Sequence, residues 1–177
     1  MGLFGTAGIR GVTGESITPE LALQVGVAMG MQVKDENVAN VVYVGRDGRV
    51  TSSGIVHAVI SGLLSTGVEV RSVGEVPTPV VAFASRQAHG IMVTASHNPP
   101  AYNGLKCFRD GREYTRAEEA ALEELFDADL GVAAWGEWTT PQRYDPVANY
   151  LHAVEEYASR YGSSIEALEV VVDCGNG

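Results

Sequence analysis

The chain has 177 residues, of which 45% are hydrophobic, and this is enough to bury the core of one domain and part of another. Its 22 acidic and 12 basic residues give a net charge of −10, which argues against nucleic acid and anionic membranes as partners. No apolar run reaches the about 20 residues that span a bilayer, and the N-terminus lacks the pattern of a secretion signal, so we expect a cytoplasmic protein.

Helix-start signals and short apolar runs alternate along the chain. Thr18-Pro19 places a capping hydroxyl before a proline at the first helical position, and Asp145-Pro146 repeats this arrangement. Thr115 and Glu118 have the spacing of a capping box. In chain order, the predicted elements are a helix at 19–33, a strand at 41–44, a helix at 53–64, a strand at 68–73, a helix at 80–87, strands at 91–94 and 105–108, and helices at 116–126 and 147–161, with a last strand at 168–173.

This alternation predicts an α/β fold, a three-layer α/β/α domain with a mixed, largely parallel sheet. We place this domain at 1–145, a connecting helix at 146–167 and the start of a second domain at 168–177. The apolar strand at 168–173 suggests the second domain, because a buried parallel strand needs a following helix to cover it. Alternatively, this strand closes the edge of the first domain's own sheet.

Two regions carry weaker signals. Residues 127–143 have little periodicity and are predicted to be a linker or an edge strand, with Trp135 and Trp138 at the surface. The two cysteines, Cys107 and Cys174, lie in apolar surroundings without CxxC spacing, so we predict that both are buried free thiols and that neither binds a metal.

The chemistry is concentrated between residues 91 and 106. A strand ending near Thr94 would deliver Ser96 into the crevice beyond the carboxyl end of the sheet, where open α/β folds bind their ligands. Pro99-Pro100 stiffens the loop that follows. Asn103-Gly104 is predicted to form a tight turn into the next strand, so that Ser96 and Lys106 face each other across a hairpin-like connection. A nucleophilic oxygen would then lie near a cation.

Each of these residues also has an ordinary structural interpretation. A serine after a strand is usually a turn residue or a cap, and Arg46-Asp47-Gly48-Arg49 is compatible with a type I turn that contains an internal salt bridge. A serine hydrolase would need a GxSxG elbow, but Ser96 lacks the flanking glycines and is followed directly by His97. The N-terminal glycines do not satisfy the GxGxxG pattern of dinucleotide sites.

The loop Thr94-Ala95-Ser96-His97-Asn98-Pro99-Pro100 resembles the phosphoserine loop of the α-D-phosphohexomutases, the superfamily of phosphoglucomutase, phosphomannomutase and phosphoglucosamine mutase. Further motifs occur in the family's order and extend the resemblance to nearly the whole chain, which corresponds to about the first third of such an enzyme. They are Phe4-Gly5-Thr6-Ala7-Gly8-Ile9-Arg10-Gly11, Gly45-Arg46-Asp47-Gly48-Arg49, Val76-Pro77-Thr78-Pro79, Asn103-Gly104-Leu105-Lys106 and Val171-Val172-Asp173-Cys174-Gly175-Asn176-Gly177.

The resemblance implies interconversion of hexose 1-phosphate and hexose 6-phosphate through a phosphoserine at Ser96 and a hexose 1,6-bisphosphate intermediate. Mg²⁺ would bind the phosphate on Ser96, and its remaining ligands would lie beyond residue 177, in C-terminal domains of the same polypeptide. Arg10 and Lys106 would contact the reacting phosphate, and His97 would orient phosphate or substrate. The weaker phosphate or substrate contacts implied by the resemblance are Thr6, Asp47 and Asn98.

The motifs are closer to the phosphomannomutase and phosphoglucomutase branch. A phosphoglucosamine mutase and a non-catalytic protein that binds sugar phosphates are the alternatives. Since the metal carboxylates and the sugar-reading loop would lie later in the polypeptide, residues 1–177 alone are expected to be inactive.

Overall fold

The computed structural model describes residues 3–5, 8–35, 39–126, 132–161 and 169–174. Within these residues the chain forms one mixed sheet with helices on both faces. The strands are β1 (Ile9–Val12), β2 (Val41–Arg46), β3 (Glu69–Glu75), β4 (His89–Val93), β5 (Tyr102–Arg109), β6 (Arg112–Glu113) and β7 (Gln142–Arg143). The helices are α1 (Pro19–Asp35), α2 (Ser52–Ser65), α3 (Thr78–Ala84), α4 (Arg116–Glu124) and α5 (Val147–Tyr161), with a 3₁₀ turn at Trp135–Glu137.

The strand order is β1-β5-β4-β2-β3-β7, with β6 added to β5. Strands β4, β2, β3 and β7 are parallel, whereas β5 is antiparallel to both β4 and β1. The carboxyl ends of β2 and β4 therefore lie at the same edge of the sheet as the amino end of β5. The predicted mixed, largely parallel sheet is confirmed.

Two apolar clusters separate three layers. On one face, side chains such as Val25 of α1, Val59 of α2 and Leu122 of α4 pack against the sheet. On the other face, Val80 of α3 packs with Met92 and with residues of the other central strands. Helix α5 lies outside α3. The predicted three-layer α/β/α architecture is thus confirmed.

Three helices begin where the sequence signals, whereas α3 spans Thr78–Ala84 and not the predicted 80–87. Thr18 Oγ1 accepts a hydrogen bond from Leu21 N at 3.2 Å, and Asp145 Oδ1 accepts one from Val147 N at 3.0 Å. Thr115 and Glu118 form both halves of the capping box. Local capping chemistry therefore places three of the helices correctly.

Several predictions differ from the structure. Asn103 and Gly104 are paired residues of β5, because the turn between β4 and β5 lies earlier, in the Ser96 loop. Residues 169–174 form no strand and are exposed, so the strand predicted at 168–173 is not found in the described part of this segment. The assignment of residues 168–177 to a second domain stays a prediction.

The two cysteines have different environments. Cys107 is buried in β5, as predicted, and burial raises the pKa of its thiol. Cys174 is exposed, so the prediction of a buried thiol is wrong there; its neighbours Val171 and Val172 are also exposed, and no described element covers them. The described helices contain no segment long and apolar enough to cross a membrane.

Candidate phosphoryl-transfer site

The candidate site lies where β2 and β4 end and β5 begins. Asp47 N, just after β2, donates a hydrogen bond to Val93 O at 3.0 Å, and Thr94 N, just after β4, donates one to Gly104 O at 3.0 Å. These bonds hold the three strand ends together. An open cleft of about 810 Å³ lies beside them, lined by residues 47–51 and 96–100.

Ser96 lies in this cleft with an unusual backbone. Its φ angle of 58° is in the left-handed region, which residues other than glycine rarely adopt. Ser96 N donates a hydrogen bond to Thr94 Oγ1 at 2.9 Å. The residue is exposed, and its Oγ lies 3.4 Å from Nδ1 of His97, which is exposed as well. The loop thus presents a serine hydroxyl to the cleft with an imidazole next to it.

Arg49 reaches this loop from the turn after β2. Its Nη1 donates hydrogen bonds to Pro99 O at 2.9 Å and to Tyr102 O at 3.2 Å. Its Nη2 donates to Ser96 O at 3.0 Å and to Asn98 O at 2.7 Å. One guanidinium therefore binds four carbonyl oxygens of residues 94–102, here called the Ser96 loop, whose last residue is also the first of β5.

A series of hydrogen bonds through Asp47, Ser52 and Asn103 holds Arg49 in place. Asp47 Oδ2 forms a salt bridge with Arg49 Nε at 3.2 Å, and Asp47 Oδ1 accepts from Ser52 Oγ at 2.6 Å. Asn103 Nδ2 in turn donates to Ser52 Oγ at 3.0 Å and to Thr51 Oγ1 at 2.9 Å. The predicted salt bridge within the turn at residues 46–49 is present, and it belongs to a network that joins β2, α2 and β5.

Arg10 approaches the loop across Gly104. The two residues are partners in the β1–β5 pairing, and a Cβ built on Gly104 would lie 3.0 Å from both Arg10 Cγ and Thr94 O. Arg10 Nε is buried and has no hydrogen-bond partner among the residues that the structure describes. A buried guanidinium N–H without an acceptor is costly, and a phosphate oxygen would supply one.

Lys106 lies on the same face of the sheet as Arg10, since side chains alternate along β5 and β1. Its ammonium forms a salt bridge with Glu113 of β6. Within the described residues no hydrogen bond joins Lys106 to Ser96. The structure thus places the Arg10 side chain beside Gly104 and Thr94 O, and it pairs the Lys106 ammonium with Glu113.

The weaker predicted contacts were Asp47, Asn98 and Thr6, and the structure describes the first two of them. Asp47 serves the Arg49 network, and Asn98 contributes its carbonyl to Arg49 and donates its N–H to Ala95 O at 3.1 Å. Thr6 lies outside the described residues.

A Mg²⁺ ion would find few ligands in the described part of the chain, which holds no group of three or more His, Cys, Asp or Glu side chains suited to a metal. Asp47 is already engaged with Arg49 and Ser52. The exposed Ser96 hydroxyl is compatible with the expected arrangement, because phosphate oxygens on that serine are ligands that Mg²⁺ prefers.

The contributions of Arg49, Ser52, Thr94 and Asn103 were not predicted from the sequence. Arg49, Thr94 and Asn103 belong to motifs quoted above, at 45–49, 94–100 and 103–106, but no role was predicted for them. A usable signal was the concentration of polar residues directly after two parallel strands, whose ends must share one sheet edge.

Comparisons with known proteins show the family to which this chain is related. The family model described as "Phosphoglucomutase/phosphomannomutase, alpha/beta/alpha domain I" matches residues 1–131. A phosphopentomutase of Thermococcus kodakarensis is 41% identical over 181 residues, covering 100% of this chain and 38% of the relative. A probable phosphoglucosamine mutase of Pyrococcus horikoshii is 41% identical over 179 residues, covering 98% of this chain and 38% of the relative. A phosphoglucomutase/phosphomannomutase of T. kodakarensis is 41% identical over 186 residues, covering 99% of this chain and 40% of the relative.

Solved structures show the same domain. A phosphoglucomutase/phosphomannomutase family protein of Burkholderia thailandensis superposes with a TM-score of 0.75 and 32% identity, covering 86% of this chain and 35% of that one. A putative phosphomannomutase of Thermus thermophilus superposes with a TM-score of 0.74 and 31% identity, covering 87% of this chain and 35% of that one.

The fold is that of an α/β/α phosphomutase domain. The chain belongs to the phosphoglucomutase/phosphomannomutase family, within the α-D-phosphohexomutase superfamily, as its motifs predicted. It spans about 38% of the length of the curated relatives that it matches.

Proposed function

We propose that the full-length protein containing this chain is a phosphosugar mutase in which Ser96 carries the transferred phosphoryl group. The observation that supports this most directly is the Ser96 loop, which presents an exposed hydroxyl at the sheet edge, in a chain of this family. The relatives of this chain are named phosphopentomutase, phosphoglucosamine mutase and phosphoglucomutase/phosphomannomutase. All three names describe movement of a phosphoryl group between positions of a sugar.

The proposed cycle uses Ser96 twice. The phosphoryl group leaves Ser96 Oγ for a free hydroxyl of the sugar monophosphate, whose proton passes to the solvent or to the seryl oxygen. The resulting bisphosphate turns over in the site and returns its other phosphoryl group to Ser96, which leaves the isomeric monophosphate. Bound Mg²⁺ would neutralise charge on the phosphate.

Residues of this chain supply charge and position in that cycle. Phosphoryl transfer needs charge neutralisation and in-line placement more than covalent chemistry. Arg10 fits the first need, because its Nε is buried without a partner among the described residues and its Cγ lies beside Gly104 and Thr94 O. His97 lies next to the nucleophile and would orient the phosphate. Lys106 would have to exchange Glu113 for a phosphate or a sugar hydroxyl.

The proposed substrates are hexose 1- and 6-phosphates, with glucose or mannose as the sugar and hexose 1,6-bisphosphate as the intermediate. The three named relatives are each 41% identical to this chain, so identity does not separate the branches. The sugar-reading residues and the remaining Mg²⁺ ligands are proposed to lie in later domains, as the length of the relatives suggests.

A coupled assay of the full-length protein tests the proposal with 1-phosphates of glucose, mannose, glucosamine and ribose, each with Mg²⁺ and a trace of the matching bisphosphate. We expect turnover of at least one hexose phosphate and a loss of 10³-fold or more in Ser96→Ala. Residues 1–177 alone should show no turnover. Binding of sugar phosphates without turnover in the wild type would instead identify a non-catalytic paralogue.

A further inference from the structure

We propose that Arg49 is a positioning residue that sets the backbone conformation of Ser96 and thereby aims its hydroxyl. The consequence for phosphoryl transfer depends on the proposed function, whereas the effect on the loop does not. The proposal starts from the four loop carbonyls that share one guanidinium.

The donors of Arg49 are fully used. A guanidinium has five N–H donors in a fixed plane, and Arg49 directs four to the carbonyls and the fifth, on Nε, to Asp47. The side chain of Arg49 is only 15% exposed, so little water competes for these donors. A lysine ammonium has three donors without planar geometry and cannot reproduce the set.

The loop has few other means of holding its shape. Pro99 and Pro100 have no N–H groups, and the backbone bonds within the loop are Asn98 N to Ala95 O and Tyr102 N to Pro99 O. The carbonyls of Ser96, Asn98 and Pro99 point to Arg49 instead. Removing the guanidinium would leave these acceptors to solvent.

Ser96 needs such support because its left-handed backbone is unfavourable for a residue with a side chain. Its N–H is held by Thr94 Oγ1 and its carbonyl by Arg49 Nη2. The peptide groups on both sides of the Ser96 Cα are therefore fixed, and these set the direction of the Cα–Cβ bond. Loss of either bond would let Ser96 relax toward ordinary backbone angles.

Arg49 is itself fixed before any substrate arrives. Asp47 binds both its Nε and its backbone N, and Asp47 is held through Ser52 by Asn103 of β5. The guanidinium is thus positioned from β2 and β5, the strands on either side of β4. Preorganised support of this kind is what an in-line transfer requires, since a displacement of about 1 Å costs about 10²-fold in rate.

The test compares Arg49→Lys with Arg46→Lys in the full-length protein. Arg46 lies in the same turn but bonds Asp47 O and Glu75, and within the described residues no side-chain hydrogen bond or ion pair joins it to the loop. Amide hydrogen exchange over residues 95–102 reports the loop, and intact mass reports the rate at which a hexose 1,6-bisphosphate phosphorylates Ser96.

In Arg49→Lys we expect loop exchange to rise by about 10-fold or more, and kcat and the phosphorylation rate to fall by about 10²-fold with KM changed less than 3-fold. Arg46→Lys should stay within 3-fold of wild type in every measurement. Wild-type exchange and phosphorylation in Arg49→Lys would overturn the proposal.

A second variant covers the case in which Arg49→Lys does not fold. Asp47→Asn keeps Arg49 but weakens its anchor, so it should give an intermediate rise in loop exchange; unchanged exchange there would also overturn the proposal. If the wild type has no mutase activity and no phosphoserine, the proposed function fails, but loop exchange in the variants still decides the role of Arg49.

Discussion

Gly104→Ala tests the close packing of β1, β5 and the end of β4, on which the position of Arg10 depends. A Cβ at residue 104 would lie 2.3 Å from Ile9 O and 3.0 Å from Thr94 O. Both are main-chain atoms, so no side chain can rotate away to make room. The methyl group would have to push β1 away from β5 or distort the start of the Ser96 loop.

We expect this overpacking to lower the free energy of unfolding by about 1–3 kcal/mol. For a chain of this size, each kcal/mol corresponds to about 2–4 °C in the midpoint of thermal unfolding. The matched control is Gly54→Ala in the exposed part of α2, where a Cβ would meet nothing within 4 Å. Since alanine is the better helix former, the control should be more stable by about 0.5–1 kcal/mol.

Thermal unfolding followed by circular dichroism measures both variants against wild type. The account predicts opposite signs for the two substitutions. A Gly104→Ala variant as stable as wild type, beside a Gly54→Ala variant that behaves as expected, would show that β1 does not pack on β5 as described.

Two further predictions concern the start of α4. Thr115→Ala removes the acceptor of Glu118 N and should lower the free energy of unfolding by about 1 kcal/mol. Thr115→Ser keeps the hydroxyl and should retain most of the wild-type stability. Equal stability of the two variants in urea denaturation would refute the cap. Hydrogen bonds from Arg112 and Thr115 lower the pKa of Glu118 from 4.5 to about 2, so its contribution to stability is present above pH 4.5 and is lost as the pH falls toward 2. Arg112→Gln raises that pKa toward 4.5 and should flatten the decline in acid; an unchanged pH dependence would contradict the assignment.

Sequence signals predicted the parts of the fold that local chemistry decides. The cap at Thr18 and the capping box at Thr115 each act within one helical turn, so their residues are visible together in the sequence. Strand β1 was missed because Ile9–Val12 is four residues long and contains Arg10 and a glycine. Only its pairing with β5, about 95 residues away, makes it a strand.

The same limit applies to the site. The motif around Ser96 predicted the candidate loop, and the structure places Arg10 Cγ beside Gly104 and Thr94 O at the start of that loop. The role of Arg49 depends on carbonyls 47–53 residues further along the chain, which no local pattern links to it. The partner of Lys106 was likewise not predictable, because Glu113 reaches it only through the β5–β6 pairing.

The central claim is that Ser96 is the phosphoryl carrier, and intact mass of the full-length protein tests it most directly. After incubation with hexose 1,6-bisphosphate and Mg²⁺, the account predicts one added phosphate that maps to Ser96 and is lost when a sugar monophosphate substrate is added in excess. Ser96→Ala should gain none. A wild-type protein that stays unmodified under these conditions, or a phosphate on Ser96 that no sugar monophosphate removes, would contradict the account.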